Sequence, residues 1–469
     1  MLLAAAVLTA TACLRGAEYD EQYTLFLTGG TARPLWPDAA FPAELVTRLQ
    51  SGRASLATIA ADLRRTDVHP PLYFWAVSLW RAIAGDGLLA ARLLSVGCGL
   101  GALAAIRAIA RRTGLSPALA MLLTLGCYGF AYTGGIARGF ALAQLLSLMG
   151  VASLLAKRDL LAGALLGAAV ASNYLAMFVA AVVLALARSW GRAAAGFAPF
   201  ALLAGWFFIA QRGSRIGQFP PFEPWPALAR IARYGAANLT GGLPLYIPEP
   251  ASHMLAMALA IGLAGLTILV AIRWRHIATP PARRLFAAAA LAPPIGLLLL
   301  GLAFNNTPIE LRYLSFATPF VGLLLAGALR GMRVGTAVLL AVQAASLAGL
   351  MLRPETMQPA QATASAAAAL AGDGPILIPR GNDGVGIVGA FATGLPPDAR
   401  LLIIGPDLSA ADIRNRTEPF HRVTLALLEQ DADSRTAVLA LRAAFAHPGW
   451  RVAAIGSNVI AYERISGAR

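Results

Sequence analysis

Nearly uncharged apolar runs dominate this chain and limit what it can become. They recur at 88–106, 115–134, 139–156, 160–172, 174–187, 193–210, 252–272, 285–304, 313–329 and 334–352. Most reach or approach the roughly twenty residues needed to cross a hydrocarbon core of about 30 Å. Inside lipid the backbone must satisfy its own polar groups, so such runs read as helices. Composition agrees, with 58% hydrophobic residues and a mean hydropathy of +0.66, where a soluble domain is about half apolar. The expected fold class is a mainly helical polytopic membrane protein.

The formal charge is +15, and a basic chain invites comparison with nucleic-acid binders. Position argues against that. The arginines gather at the ends of apolar runs, Lys157 is the only lysine, and no basic tract is interleaved with aromatics. The arrangement fits the positive-inside rule. With the chain starting inside and Pro70–Ala84 not crossing, the cytoplasmic loops hold Arg107, Arg111 and Arg112, then Lys157 and Arg158, then Arg188 and Arg192. Arg273, Arg275, Arg283 and Arg284 follow, and then Arg330 and Arg333. The opposite short loops hold few cations besides Arg138 and Arg312. This register requires the 160–187 run to cross twice. It places Asp20, Glu21, His69, Arg138, Asn173 and Arg312 on the extracytoplasmic side, with the 211–251 loop and everything after Arg353.

Residues 1–353 thus read as a transmembrane domain of about eleven helices, and 354–469 as a small soluble α/β domain. Residues 1–14 are taken as the first span, because a signal peptide would carry a positive start. Within the loop 15–69, the pieces 41–50 and 54–65 show apolar residues at helical spacing and read as amphipathic helices on the membrane surface. Pro70–Ala84 opens on two prolines, suited to a first helical turn, and reads as an interfacial helix. The 211–251 connection is rich in Pro, Trp and Tyr and is expected to be a functional loop that closes over a substrate. In the C-terminal part PILIPRG and ARLLIIGP read as strands. VGIVGAFATGL and the stretches around 420–430 and 434–446 read as helices, and RVAAIGSNVIAYERI as two terminal strands. Gly381-Asn382-Asp383-Gly384-Val385-Gly386 lacks the Lys-Ser/Thr of a P-loop and reads as a turn into a helix. Cys13, Cys98 and Cys127 lie in apolar segments, so neither a disulfide framework nor a zinc site is indicated.

Asp20 and Glu21 follow the first helix. They are either solvated loop acids or a general base for an acceptor hydroxyl. His69, before Pro70-Pro71, is either a polar helix cap or a group placed to meet phosphate. Arg138 and Arg312 each open a span; they either snorkel or present a guanidinium fork to phosphate oxygens. Acid, imidazole and guanidinium on one membrane face point to glycosyl or phosphoryl transfer more than to transport.

The order of five stretches adds to this: Asp20-Glu21, His69-Pro70-Pro71-Leu72-Tyr73, Ala91-Arg92-Leu93-Leu94-Ser95, Ala137-Arg138-Gly139-Phe140-Ala141 and Leu311-Arg312-Tyr313-Leu314. Together they resemble the integral-membrane glycosyltransferases of the GT-C fold. The nearest likeness is to the protein O-mannosyltransferase and lipid A aminoarabinose or galacturonic acid transferase superfamily. The resemblance covers about residues 1–350. It implies a polyprenyl-phosphate-linked sugar donor, a lipid, glycan or protein acceptor, and catalysis at the outer face of a bacterial inner membrane. It also implies Asp20 as the catalytic acid position with Glu21 beside it, and His69, Arg138 and, by a looser match, Arg312 at the donor phosphate. Tyr73, Asn173 and Tyr174 become candidate substrate contacts. Relatives often carry His-Tyr where this chain has Asn173-Tyr174, a departure that counts against a proton-transfer role at that position. No cofactor is implied; a monophosphate leaving group met by cations requires no metal, although Asp20 and Glu21 have the donor chemistry for a divalent ion. A transporter or flippase would place ionisable residues at mid-helix along a path, whereas these spans are nearly charge-free at their centres, with Arg92 near an edge. A non-catalytic polyprenyl-lipid-binding assembly protein would keep the arginines and have no need of Asp20.

Overall fold

The computed structural model describes residues 1–212 and 220–465. The chain divides into two compact units. One comprises residues 1–14, 60–77 and 91–353; the other comprises 15–59, 78–90 and 354–469.

The first unit is a helical membrane bundle. Leu88–Thr113, Trp190–Ala210, Ala251–Ile272, Pro280–Phe304, Leu311–Ala328 and Arg333–Leu352 are each long and apolar enough to cross a bilayer. Between them lie the shorter apolar helices Pro117–Gly126, Phe140–Leu155, Asp159–Ser172 and Ala176–Ala185. Leu2–Leu14 is helical as well. The expected 115–134 span is broken at Cys127 and resumes as Tyr128–Gly134. Burial sorts the helices by neighbour. In Ala251–Ile272 no residue is buried, and Met254, Ile261 and Ile272 are 72%, 68% and 75% exposed. Water would reject such a surface, but lipid is as apolar as the side chains themselves.

Small residues decide how the inner helices meet. A Cβ on Gly163 would overlap the carbonyl of Ala193, and one on Gly196 the carbonyl of Leu160. Asp159–Ser172 and Trp190–Ala210 therefore pack backbone against backbone, the membrane use of small residues. Asp159 accepts a hydrogen bond from the Ser189 N–H at 3.1 Å, which joins the starts of these two helices. At their far ends the Tyr174 hydroxyl donates to Gln211 Oε1 at 3.0 Å. The chain therefore runs out along Asp159–Ser172, turns at 173–175 and returns along Ala176–Ala185. The 160–187 run thus goes out and back in two helices, each shorter than the six long spans.

The second unit centres on a six-stranded sheet in the order β1-β3-β2-β4-β6-β5. Its strands are β1 (Phe41–Pro42), β2 (Ile376–Pro379), β3 (Arg400–Ile404), β4 (Arg422–Ala426), β5 (Trp450–Gly456) and β6 (Val459–Arg464). β2 lies parallel to β3 and β4, and β4–β6 and β6–β5 are antiparallel. Leu377, Leu402, Ile404, Val423 and Leu425 bury against Ile413 of the Ala410–Thr417 helix and Leu441 and Phe445 of the Ala432–Phe445 helix. Strands covered on both faces carry such continuous apolar runs.

Several expectations are corrected. The 15–69 stretch holds an additional helix, Tyr19–Gly29. Phe41–Pro42 form a strand paired with Arg400–Leu401, and only Glu44–Gln50 of the expected 41–50 helix is helical. The amphipathic helices do not keep apolar faces for a membrane surface, since Val46, Ile59 and Leu63 are all fully buried in protein. Residues 422–426 are a strand, because a Val-Thr-Leu run buried on both faces favours sheet over the helical leaning of its Leu and Ala neighbours. The 211–251 connection contains the helix Pro224–Thr240; its residues 213–219, part of the expected closing loop, lie outside the described residues.

Candidate functional site

One cluster of ionisable side chains sits in the membrane unit, at the end of the bundle opposite the cytoplasm-assigned arginines. Pro70 and Pro71 fix the entry to the Leu72–Ala84 helix, and His69 precedes them on a stiffened segment. Gln211 Nε2 donates to the His69 carbonyl at 2.8 Å and to the Leu63 carbonyl at 3.0 Å. With Tyr174 bonded to its other amide atom, Gln211 pins the histidine segment to the end of the Trp190–Ala210 helix.

The His69 ring lies between two charges. Its Nδ1 is 3.0 Å from Asp67 Oδ1, and Arg138 Nη2 is 3.0 Å from its Nε2. A carboxylate only accepts, so Nδ1 carries a hydrogen toward Asp67; Arg138 Nη2, also 3.4 Å from Nδ1, lies against the face of the ring. Burial acts to raise the Asp67 carboxyl, but the charge and hydrogen bond of His69, the Arg138 guanidinium and the Val68 backbone together hold it below the ordinary carboxylate value. Arg138 is 5% exposed, with its guanidinium 5.9 Å from the centre of the Phe74 ring. The next residue must be glycine, since a Cβ on Gly139 would press into the Ser172 carbonyl and the Tyr73 side chain.

Arg312 belongs to the same end. It pairs with Glu310 and lies over the Tyr313 ring, and Tyr313 in turn stacks on Phe140. Tyr73 is buried at Gly139. Asn173 closes the turn between two helices, its Oδ1 accepting from the Leu175 N–H at 3.1 Å, and Tyr174 works through Gln211. His69, Arg138 and Arg312 are thus presented by one end of one unit, with Asn173 and Tyr174 as supports of its framework.

Asp20 and Glu21 belong to the second unit, on the first turn of the Tyr19–Gly29 helix. Glu21 is fully buried and accepts the Glu18 N–H at 3.0 Å, one half of a capping box. Glu18 is itself paired with Arg15 at 2.7 Å, out of contact with water. Asp20 is half-buried beside Tyr19, whose hydroxyl lies 3.0 Å from Asn382 Oδ1 and 3.1 Å from Asp431 Oδ2. Asp383 accepts the N–H groups of Val385 and Gly386 at 3.0 and 2.9 Å. Burial pushes its carboxyl up to about 6 against those hydrogen bonds, and the charge of Asp20 adds to the rise. The turn from Gly381 to Gly386 therefore gives its Val385 and Gly386 amides to Asp383 and its Asn382 amide to Asp431, and sets Gly381 and Gly386 against the Tyr19 side chain. Among the described residues no three His, Cys, Asp or Glu side chains converge to hold a metal ion.

Sequence reasoning passed over Asp67, Gln211, Tyr19 and Asp383. Only Asp67 left a local signal, as an acid two residues before a histidine whose backbone is stiffened by Pro-Pro. The others depend on partners far away in the chain.

No protein-family model matches the chain, and no curated protein matches it. Solved structures do. ArnT from Cupriavidus metallidurans bound to undecaprenyl phosphate aligns over 99% of this chain and 97% of its own, at 13% identity and a TM-score of 0.55. The apo state of the same protein aligns over the same shares at 13% identity and a TM-score of 0.51. Likeness at this identity carries the fold and nothing finer: from end to end, this chain has the GT-C fold of ArnT.

Proposed function

We propose that the protein is an inner-membrane glycosyltransferase that moves a sugar from a polyprenyl-phosphate carrier to an acceptor hydroxyl at the extracytoplasmic face. The observation that carries this reading is the Asp67–His69–Arg138 cluster at one end of a bundle whose fold is that of a protein solved with undecaprenyl phosphate. In this reading His69, Arg138 and Arg312 meet the carrier phosphate. They stabilise the charge that gathers there as the bond from the sugar's anomeric carbon to the phosphate oxygen breaks, the electrostatic contribution expected to be largest. The acceptor oxygen attacks the anomeric carbon with inversion and its proton passes to the Asp20 carboxylate. The electron pair of the broken bond leaves with the phosphate. Glu21 is left out of the chemistry, because its carboxylate caps a helix.

The test uses the full-length protein in nanodiscs, incubated with a panel of polyprenyl-phosphate sugars and acceptor hydroxyls, with release of free polyprenyl phosphate as the readout. Turnover lost in Asp20→Asn with carrier binding retained, and carrier binding weakened in Arg138→Ala, supports the proposal. Carrier binding with no turnover across the panel, unchanged in Asp20→Asn, refutes it in favour of a lipid-binding or flippase role.

A further inference from the structure

The Leu72–Ala84 helix carries in its last turn an arginine whose charge no acid side chain touches. Arg81 is 2% exposed. Its Nη1 donates to the Thr28 hydroxyl and to the Leu25 carbonyl at 3.3 Å, and its Nη2 to the Gln50 and Asp86 carbonyls at 2.6 and 2.7 Å. Its Nε is buried without a hydrogen-bond partner among the described residues. Every bond is thus to a neutral oxygen. A buried cation held only by dipoles keeps much of its desolvation cost, and a nearby anion lowers it.

A pocket of about 230 Å³ opens beside this arginine. Arg53, Asp86, Thr28, Ser55 and Ser78 line it together with Arg81, and all six belong to the sheet-bearing unit. The Arg53 and Asp86 side chains are 61% and 33% exposed. Arg53 Nε lies 3.8 Å from Asp86 Oδ1, too far for a hydrogen bond. A pair so placed holds together weakly, which leaves both charges available to a ligand. Two guanidiniums against one carboxylate leave the pocket with one positive charge in excess. The Leu56–Thr66 helix begins at the same place, where Ser55 accepts the Thr58 N–H at 3.0 Å, and its first turn adds positive character.

The rim is apolar. Leu56 and Leu79 are exposed where they line the pocket, and Ile83, one turn beyond Leu79 on the same helix, is 85% exposed. The volume is below the roughly 300–1,000 Å³ of sites that enclose a whole small molecule. A small cationic pocket beside uncovered Leu and Ile suits an amphiphile, with its head inside and its chains along the rim.

We infer that this pocket binds the headgroup of an anionic phospholipid, a phosphodiester with one negative charge and hydroxyls beyond it. The phosphate meets Arg53 in the field of Arg81, which cancels the excess charge. Ser55 and Ser78 face the head with hydroxyls, and a headgroup hydroxyl donates to Asp86, which only accepts. The acyl chains lie on Leu79 and Ile83. None of the residues assigned to the donor phosphate takes part, so this inference and the transferase reading stand or fall separately.

The experiment follows binding of short-chain phosphatidylglycerol to the full-length protein in detergent by native mass spectrometry. Phosphatidylcholine, whose head is neutral overall, is the comparison lipid, and glycerophosphoglycerol and inorganic phosphate are the probes without chains. The readout is the ratio of the two lipid affinities within each variant, which a general loss of folded protein does not move. Wild type should prefer phosphatidylglycerol, and Arg53→Gln should reduce that preference about fivefold. Asp86→Asn removes a repulsion while keeping an acceptor, so it should raise the preference by up to about fivefold. Leu79→Asn should weaken both lipids alike. Arg284→Gln, an exposed arginine on the Pro280–Phe304 helix, should change nothing. Four outcomes overturn the inference: no preference in wild type, a preference untouched by Arg53→Gln, an equal loss in Arg284→Gln, or a lower preference in Asp86→Asn. Glycerophosphoglycerol or inorganic phosphate binding as tightly as the lipid also overturns it, in favour of a soluble phosphate compound.

Discussion

Asp383 is buried beside the charge of Asp20, and the hydrogen bonds from Gly386, Val385 and Tyr19 do not offset that burial. Its carboxyl stands at about 6, above the ordinary 3.8. The folded state therefore holds that proton more tightly than the unfolded chain, so stability from this group is present at low pH and lost as pH rises through about 6. Asp383→Asn keeps an oxygen for the Val385 and Gly386 amides and removes the charge. It should stabilise the protein at pH 8 by about 1 kcal/mol, a gain of a few degrees in melting temperature, and should change little at pH 4. Equal melting shifts at both pH values would show that the carboxylate carries no such strain. Glu21 gives a contrasting prediction. Glu21→Gln can still accept the Glu18 N–H, so turnover and melting should stay near wild type, whereas Glu21→Ala should cost about 0.5–2 kcal/mol through the lost cap. A loss of turnover in Glu21→Gln at unchanged stability would return Glu21 to the chemistry.

The helix pair Asp159–Ser172 and Trp190–Ala210 depends on the absence of two Cβ atoms. Gly163→Val should force the backbones apart at a cost of about 1–3 kcal/mol, seen as earlier thermal unfolding in detergent. Gly265→Ala in the lipid-facing Ala251–Ile272 helix meets open space and should be neutral or slightly stabilising. If both variants melt alike, close packing is not what joins the pair. Elements of this kind were legible from sequence because the membrane selects charge-free length, and that signal needs no knowledge of partners. The Tyr19–Gly29 helix was not, since it is too short and mixed to stand out as a span. Its start was marked only by the Glu18 and Glu21 box, which reads equally well as two loop acids. Residues 422–426 looked helical because Leu and Ala favour helix, and only burial between β2 and β6 makes them a strand. For the site, residue types carrying charge before an apolar span were visible, while Gln211 and Asp383 gained meaning only from distant partners.

On the scale of the whole molecule, residues 15–59 fold with 354–469 and not with the spans that flank them. Phe41–Pro42 extend the C-terminal sheet beside β3, and the bonds from the Ala43 and Glu44 amides to the Ala399 and Pro397 carbonyls continue the seam. The Trp36 ring donates to the Gly384 carbonyl at 2.7 Å, and the Tyr19 ring lies on Gly386. The early segment that bears Asp20 thus takes its shape from residues more than three hundred positions later, which gives the C-terminal unit a task in placing the proposed base. Stability should pass along this seam as one cooperative step. Leu402, 1% exposed on β3 beside that seam, tests it. Leu402→Ala should cost about 2–5 kcal/mol and, in hydrogen exchange of the full-length protein, should speed exchange of the amides in 19–29 and 43–50 together with those of β2 and β3. The Phe140–Leu155 helix, in the other unit, should keep its protection. Acceleration confined to β2 and β3, with 19–29 unchanged, would mean that the early segment holds its own shape and that the C-terminal unit does not set Asp20 in place.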